Sequence, residues 1–411
     1  MKHLNIFIQI IFLISIISIT SNSIEKNVIS IKVQSEISKP TVFIHNISTP
    51  YFSTIVLYLD GKKLTNFDRK VPVSDGKMHH IVLMFPKNFR DSCEKMFFEI
   101  KSVKEIKFIN FNGCTNTRQM FQYLYNLINL DLQEFNTSLV TNMEMMFHGC
   151  KSLPSLDLKN FNTNQVTTMN SMFAYLNSLS YIQNLNKLNT SLVKDMAYLF
   201  FNCAYLTDID LSKFDTREVI NMNSMFYNCT SLKNLNVSKF NTKNVKFMDS
   251  MFYNNILLTS LDISSFDTHN VQSMGYMFHN CRNLNYLNLS NFNTSNTVNM
   301  ESMFYNTRLF ELDLKNFDTS KVTSMYDMFY NNKYLTSLDL STFKTDKLEN
   351  IRGLFSRCSS LLSIDLYYFD FEKIKFKYNI FYGCDELKYV RHPSCKFPGI
   401  GNTPNFTCIT N

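Results

Sequence analysis

The chain has no tryptophan, nine glycines and eight prolines in 411 residues, and nowhere does it carry five or six Lys/Arg in a row. Its formal charge of +7 is spread along the sequence, so the basic patch with interleaved aromatics that a nucleic-acid binder needs is missing, and nucleic acid is set aside as a partner. Glycine-rich phosphate loops, H-E-x-x-H and G-x-S-x-G are absent. Cysteines in C-x-x-C pairs are absent too, and His392 is a single candidate beside Cys395, which argues against zinc. His79 and His80 precede Ile81-Val82-Leu83 without the nucleophile or carboxylate spacing that would give them catalytic work. The expectation is a non-enzyme with no cofactor and no metal. The last residues, Asn405 to Asn411, form no hydrophobic tail, so no lipid-anchor signal is expected there.

What is present begins with Met1-Lys2-His3, a mostly apolar stretch from Leu4 to Ile19, and small polar residues Ser21-Asn22-Ser23. The stretch is shorter than the roughly 20 residues that span a bilayer, and this pattern reads as a secretory signal peptide over 1–23. A mature chain without a transmembrane segment, secreted or held at the cell surface, follows. Sequons at Asn46, Asn136, Asn189, Asn228, Asn236, Asn288, Asn293 and Asn405 permit N-glycosylation and agree with export.

Residues 24–105 do not repeat. Apolar alternation in Val28-Ile29-Ser30-Ile31-Lys32-Val33 and Ile55-Val56-Leu57-Tyr58-Leu59, with Asp60-Gly61 as a hairpin turn, predicts a small β-rich domain or cap. From residue 106 to 384 the chain repeats itself. A Met-Phe pair or its Leu-Phe or Ile-Phe equivalent returns every 25 to 27 residues, from Met120-Phe121 through Met251-Phe252 to Ile380-Phe381. About eleven such units predict a solenoid, in which no unit can cover its own apolar face and neighbours must supply the cover. Residues 385–411 are left as a C-terminal cap.

Within a unit the period changes. Leu235 and Val237 alternate with polar neighbours, as in a short strand with one buried face. Val245, Met248, Met251 and Phe252 recur at three and four, the spacing of one face of a short helix or of successive 3₁₀ turns. Thr242, three residues before Val245, stands where an N-cap hydroxyl would sit. The resulting expectation is an α/β, leucine-rich-repeat-like, right-handed solenoid of short parallel strands plus short helical or 3₁₀ segments. The Met column from Met143 to Met325 is read as gap-filling core.

The motif seen from Leu206 to Cys229, with Ile209, Leu211, Phe214, Thr216, Val219, Met222, Met225 and Phe226, resembles the BspA-type leucine-rich repeat of bacterial and protist surface proteins. That resemblance implies a secreted or surface-exposed, non-catalytic protein that binds a protein or glycan on another cell, host or matrix. A structural coat glycoprotein without a dedicated ligand, and a secreted inhibitor or decoy, stand as alternatives. The resemblance is confined to scaffold residues, so it transfers no functional residue.

Two further patterns bear on sites. Of ten cysteines, six (Cys150, Cys203, Cys229, Cys281, Cys358 and Cys384) fall three residues after the repeat Phe; most are expected to stay reduced as packing residues, with a disulfide open only to the adjacent-unit pairs Cys203/Cys229 and Cys358/Cys384. Cys93 and Cys114 bracket the entry to the array and Cys395 and Cys408 follow its exit, so a disulfide is expected within each cap. Between the two inward strand positions lies a polar column: Asp131, Asp157, Asp210, Asn236, Asp262, Asn288, Asp313, Asp339 and Asp365. Stacked at roughly 5 Å these groups would form an acidic ladder facing solvent, the candidate binding face for a cationic partner.

Overall fold

The structure is a computed structural model that describes residues 27–35, 42–43, 49–65, 70–71, 73–397, 399, 401 and 404–410. The signal-peptide residues and Asn46 lie outside the described residues. The chain is a parallel β-solenoid of about 12 turns, which corrects the α/β expectation. Among the described residues the only helical pieces are α1 (Thr49–Phe52) in the N-terminal part and a single 3₁₀ turn, Leu185–Lys187.

The reason lies in the Met-x-x-Met-Phe segment. Its spacing of three and four comes from consecutive tight turns, not from a helix. In the coil of Met251, alternate amides close turns back onto the chain, Met251 N–H to Met248 C=O at 3.3 Å and Tyr253 N–H to Ser250 C=O at 3.1 Å. The amides between them point along the solenoid axis to the next coil. Ser250 N–H donates to Gly275 C=O at 2.8 Å, Phe252 to Met277 at 2.9 Å and Asn254 to His279 at 2.7 Å. A helix would have turned all of these inward on itself. What redirects them is a left-handed residue at two places per coil, Ser250 (φ 55°) and Asn254 (φ 56°), with equivalents at Ser224 and Asn228, Tyr276 and Asn280, Ser302 and Asn306. Non-glycine residues occupy that region at a cost of about 1–2 kcal/mol, least for Asn. The bonds to the next coil hold them there.

The threonine column is likewise not a set of helix caps. Thr242 is buried, and its Oγ1 donates to the carbonyl of Asp267 at 2.8 Å while accepting the amide of the same residue at 2.8 Å. Thr137, Thr190, Thr216, Thr268 and Thr319 make the same two bonds to the following coil. Each hydroxyl therefore rivets one coil to the next.

The solenoid strands pair only in pieces: β11 (Leu156–Asp157) with β12 (Ile182–Gln183), β13 (Ser260–Leu261) with β14 (Tyr286–Leu287), and the run β15 (Ser337–Asp339), β16 (Ser363–Asp365), β17 (Tyr389–Arg391) and β18 (Thr407–Ile409). A second ladder is unbroken instead. Single parallel bridges run through Asn142, Thr168, Asp195, Asn221, Phe247, Ser273, Asn299, Ser324, Asn350 and Phe376.

Among the described residues the solenoid interior is one continuous cluster, apart from a small one of Val28, Val82 and Met84 in the N-terminal sheet. Twelve phenylalanines from Phe97 to Phe381, one per coil, stack with ring centroids 5.5–5.9 Å apart and planes within 14° of parallel. The Met column from Met143 to Met325 lies fully buried beside them. Because Phe97 stacks on Phe121, and β7 (Asp91–Ser92) pairs in parallel with β9 (Cys114–Asn116), coil stacking starts at residue 91, one coil before the first unit visible in the sequence. In that coil the Met96-Phe97 pair is not preceded by the Leu-x-Leu and threonine columns.

The N-terminal part is an antiparallel sheet in the order β4 (Lys62–Leu64), β3 (Val56–Leu59), β6 (Met78–Phe85), β1 (Asn27–Gln34), β8 (Val103–Ile109). Asp60 and Gly61, both at positive φ, form the hairpin between β3 and β4. On its far side β8 accepts β10 (Asn129–Asp131) in parallel, with Ile106 opposite Leu130. An antiparallel cap thus becomes the first row of the solenoid. At the other end β18 adds a last parallel row onto β17, with Val390 opposite Cys408, and the disulfide Cys395–Cys408 ties that strand down.

Replacing Thr242 by Val keeps the shape and removes the rivet. The expected loss is about 1–3 kcal/mol from two unpartnered backbone groups, seen as faster hydrogen exchange at the Asp267 amide, whereas Thr242→Ser keeps that amide protected. Equal protection in the two variants would show that the hydroxyl does not join the coils.

Candidate functional site

The cysteines fall as the spacing required. Cys93–Cys114 and Cys395–Cys408 are bridged and the six column cysteines are free and buried. The column is more than apolar packing, however. Each thiol donates to the repeat-Phe carbonyl of the preceding coil, as in Cys281 to Phe252 at 3.1 Å and Cys384 to Phe355 at 2.9 Å. Where Asn replaces Cys, its amide makes the same bond, Asn255 to Phe226 at 2.9 Å and Asn332 to Phe304 at 2.8 Å. Burial pushes the Cys150, Cys203 and Cys281 thiols up to about 12, so these groups stay protonated and unreactive at neutral pH.

The Asp/Asn strand column faces outward, as its alternation with buried Leu and Ile requires. Every member has a backbone task that the sequence reading did not foresee. Oδ1 of Asp131, Asp157, Asp210, Asn236, Asp262, Asn288, Asp313, Asp339 and Asp365 each accepts the amide two residues later, at 2.9–3.2 Å. These are Asx turns, and they explain why Asp and Asn exchange freely there. The same turn recurs in two other columns, at Asn241, Asp267 and Asn293 before the threonine, and at Asn142, Asn221 and Asn299 in the bridge ladder. The abundance of Asn thus has a mechanical cause.

The ladder's charge is also partly compensated. Lys107 pairs with Asp131 at 3.1 Å, Lys315 with Asp313 at 2.9 Å and Arg391 with Asp365 at 2.7 Å. Of the late run, Asp339 lacks an ion pair among the described residues. Hydrogen bonds from Ser212, Ser264 and Lys315 hold Asp210, Asp262 and Asp313 below the ordinary carboxylate range. On the same outward face stand exposed rings: Tyr286, opposite Ser260 in the register, and Tyr389, opposite Ser363. Tyr181 occupies the equivalent position beside β12, and the three are 48–56 % exposed.

A second surface carries two stacked ladders. Rings of Phe201, Tyr227, Tyr253, His279, Tyr305 and Tyr330 lie 4.2–4.6 Å apart within 14° of parallel. The next residue of each coil forms an amide ladder, Asn202, Asn228, Asn254, Asn280, Asn306 and Asn331, each Nδ2 donating to the preceding Oδ1. Burial drives the His279 imidazole down to about 4, so a neutral ring sits in the stack. Asn228 is a sequon, but both ends of its amide are occupied by Asn202 and Asn254. A glycan there is incompatible with the ladder. Asn136, Asn189, Asn236, Asn288, Asn293 and Asn405 are exposed, and Asn236 and Asn288 would place sugar on the strand face itself.

The two histidines of β6 have partners the sequence did not reveal. His79 holds Asp60 through Nδ1 and Asp75 through Nε2, both at 2.8 Å. His80 Nε2 lies 2.7 Å from Ser30 Oγ on a cross-strand face shared with the Lys32–Glu105 ion pair. Burial, then Lys32, lowers His80 to about 4 and keeps it neutral. Burial also opposes charge on His79, but the two carboxylates outweigh it and raise its pKa above the ordinary 6.5. Both carboxylates belong to turns that border β6, so this cluster fastens the N-terminal sheet.

Two outcomes follow. Asp262→Asn keeps the turn acceptor and leaves stability unchanged, whereas Asp262→Ala removes it and lowers the denaturation midpoint in denaturant titrations; equal loss in both would contradict the Asx role. A group with a raised folded pKa stabilises below its unfolded pKa and loses that contribution as pH rises through the folded value. The N-terminal sheet is therefore expected to lose stability as pH climbs above 6.5 through the His79 pKa, and His79→Gln to flatten this slope; an unchanged slope in the variant would assign the pH dependence elsewhere.

No curated protein and no solved structure matches the chain significantly. The chain matches the family "Mycoplasma protein of unknown function, DUF285", over residues 91–209, 194–287 and 277–391. The first match opens at Asp91, where coil stacking begins, and the last closes at Arg391, the end of β17. With the whole stack of coils covered by these matches, the chain belongs to the DUF285 family.

Proposed function

We propose that this is a secreted or cell-surface solenoid that recognises a protein or glycan partner through its strand face and carries out no catalysis. The observation that supports the reading is the exposure of Tyr181, Tyr286 and Tyr389 on that face. The core columns are filled by Leu, Phe and Met, and the turns by Asx acceptors, so the fold does not need these rings. Tyrosine supplies large contact area at low entropic cost and recurs in recognition surfaces. Resemblance to BspA-type surface repeats points the same way. The acidic column contributes turn geometry first; Asp131, Asp313 and Asp365 are ion-paired, and Asp157, Asp210, Asp262 and Asp339 have no ion pair among the described residues.

The test uses the full chain, labelled and applied to cultured epithelial cells and to immobilised matrix proteins. Wild type is expected to be retained, and the triple variant Tyr181→Ser, Tyr286→Ser, Tyr389→Ser to lose most of that retention while keeping its fold by circular dichroism. Retention unaffected by the triple variant moves recognition off the strand face. Absence of retention on every surface favours a coat role without a ligand.

A further inference from the structure

Away from the strand face, a groove crosses five late coils beside the unbroken bridge ladder, lined by Tyr276, Glu301, Tyr326, Asn350, Arg352, Phe376 and Tyr378. Its centre is a guanidinium between two rings: Arg352 Cζ lies 4.6 Å from the Tyr378 centroid and 5.7 Å from that of Tyr326. Two cation–π contacts restrain the guanidinium, and its N–H groups have no hydrogen-bond or ion-pair partner among the described residues. No carboxylate lies within ion-pair distance of it among the described residues; Glu301 is engaged by the Ser324 hydroxyl at 2.6 Å. Asn350, which also lines the groove, accepts the Arg352 amide through Oδ1 at 3.1 Å, and its NH₂ makes no hydrogen bond among the described residues.

We infer that this groove binds a saccharide bearing a carboxylate, such as a sialyl or uronic-acid sugar. The inference rests on the recognition reading above and adds a second face to it. A carboxylate matches the planar fork of Arg352 in a bidentate pair. The exposed ring of Tyr378, 41 % accessible, offers a flat apolar wall to a sugar's C–H face. Glu301 and Asn350 supply an acceptor and a donor for hydroxyls. Other partners fit less well. The bridges Asn299 to Ser324, Ser324 to Asn350 and Asn350 to Phe376 leave no open strand edge for an extended peptide. Glu301, on the wall of the same groove, would repel a dense polyanion. The match is to one carboxylate set among hydroxyls.

Ligand-observed saturation-transfer NMR on the full chain tests this with sialyllactose, a glucuronic-acid disaccharide, lactose and a heparin hexasaccharide. At least one of the first two is expected to bind, with lactose about tenfold weaker or more, as loss of a charge-assisted pair implies. Arg352→Gln should erase the difference between sialyllactose and lactose, and Tyr378→Ala should weaken both. Both sites are exposed, and circular dichroism confirms that the variants fold. Failure of both carboxylated sugars to bind, tighter binding of heparin, or displacement of a bound carboxylated sugar by an acidic peptide overturns the assignment. If neither sugar binds while wild type and Arg352→Gln are retained equally on cells, the groove is wrong and the strand-face reading survives; if the sugars bind and cells do not retain the chain, the reverse holds.

Discussion

Everything in this solenoid depends on amides that leave their own coil. In the Met-x-x-Met-Phe segment every second N–H reaches the carbonyl of the next coil, and it can do so because two residues per coil sit in the left-handed region. Backbone groups in such tight turns would otherwise be buried without partners. The coil-to-coil bond therefore stabilises the strained conformations, and those conformations aim the bond. Neither exists in an isolated unit, so the array forms only by stacking. The Thr rivets, the Cys and Asn donors to Phe carbonyls, and the Asn ladder repeat this logic with side chains.

With so much of the scaffold joined by hydrogen bonds of fixed direction, little side-chain chemistry is left over for function. Carboxylates, amides and thiols that would look functional on a list turn out to be committed to backbone groups. Among the groups outside these networks are exposed tyrosines on the strand face and Arg352, set between two rings in the late coils. These features sit on different faces of one rigid rod, which suits a protein that displays surfaces and not a pocket.

The repeat, its period, the buried Phe and Met columns and the two cap disulfides were legible because each rests on spacing alone. The helix was not. Residues at three and four share one side of a helix, but a series of turns with left-handed residues at Ser250 and Asn254 brings Met248, Met251 and Phe252 inward at the same intervals, and hydrophobic spacing cannot distinguish the two. A cue was present in the recurring Asn of Asn202, Asn228, Asn254 and Asn280, since Asn is tolerated at positive φ. The coil at Met96-Phe97 was hidden because the strand and threonine columns that mark later units do not precede it. The acidic ladder was placed on the right face, yet alternation along a strand cannot show that Oδ1 closes a turn. The partners of His79, Asp60 at 19 and Asp75 at 4 residues' separation, depend on how turns bend beside β6.

The most direct test reads the hydrogen bond itself. Scalar coupling across hydrogen bonds, measured by NMR on the deuterated chain, should connect the Asn254 amide nitrogen to the carbonyl carbon of His279, 25 residues ahead, and the Ser250 amide to that of Gly275. Coupling of the Asn254 amide to the Ser250 carbonyl, the pattern of a helix, would contradict the account.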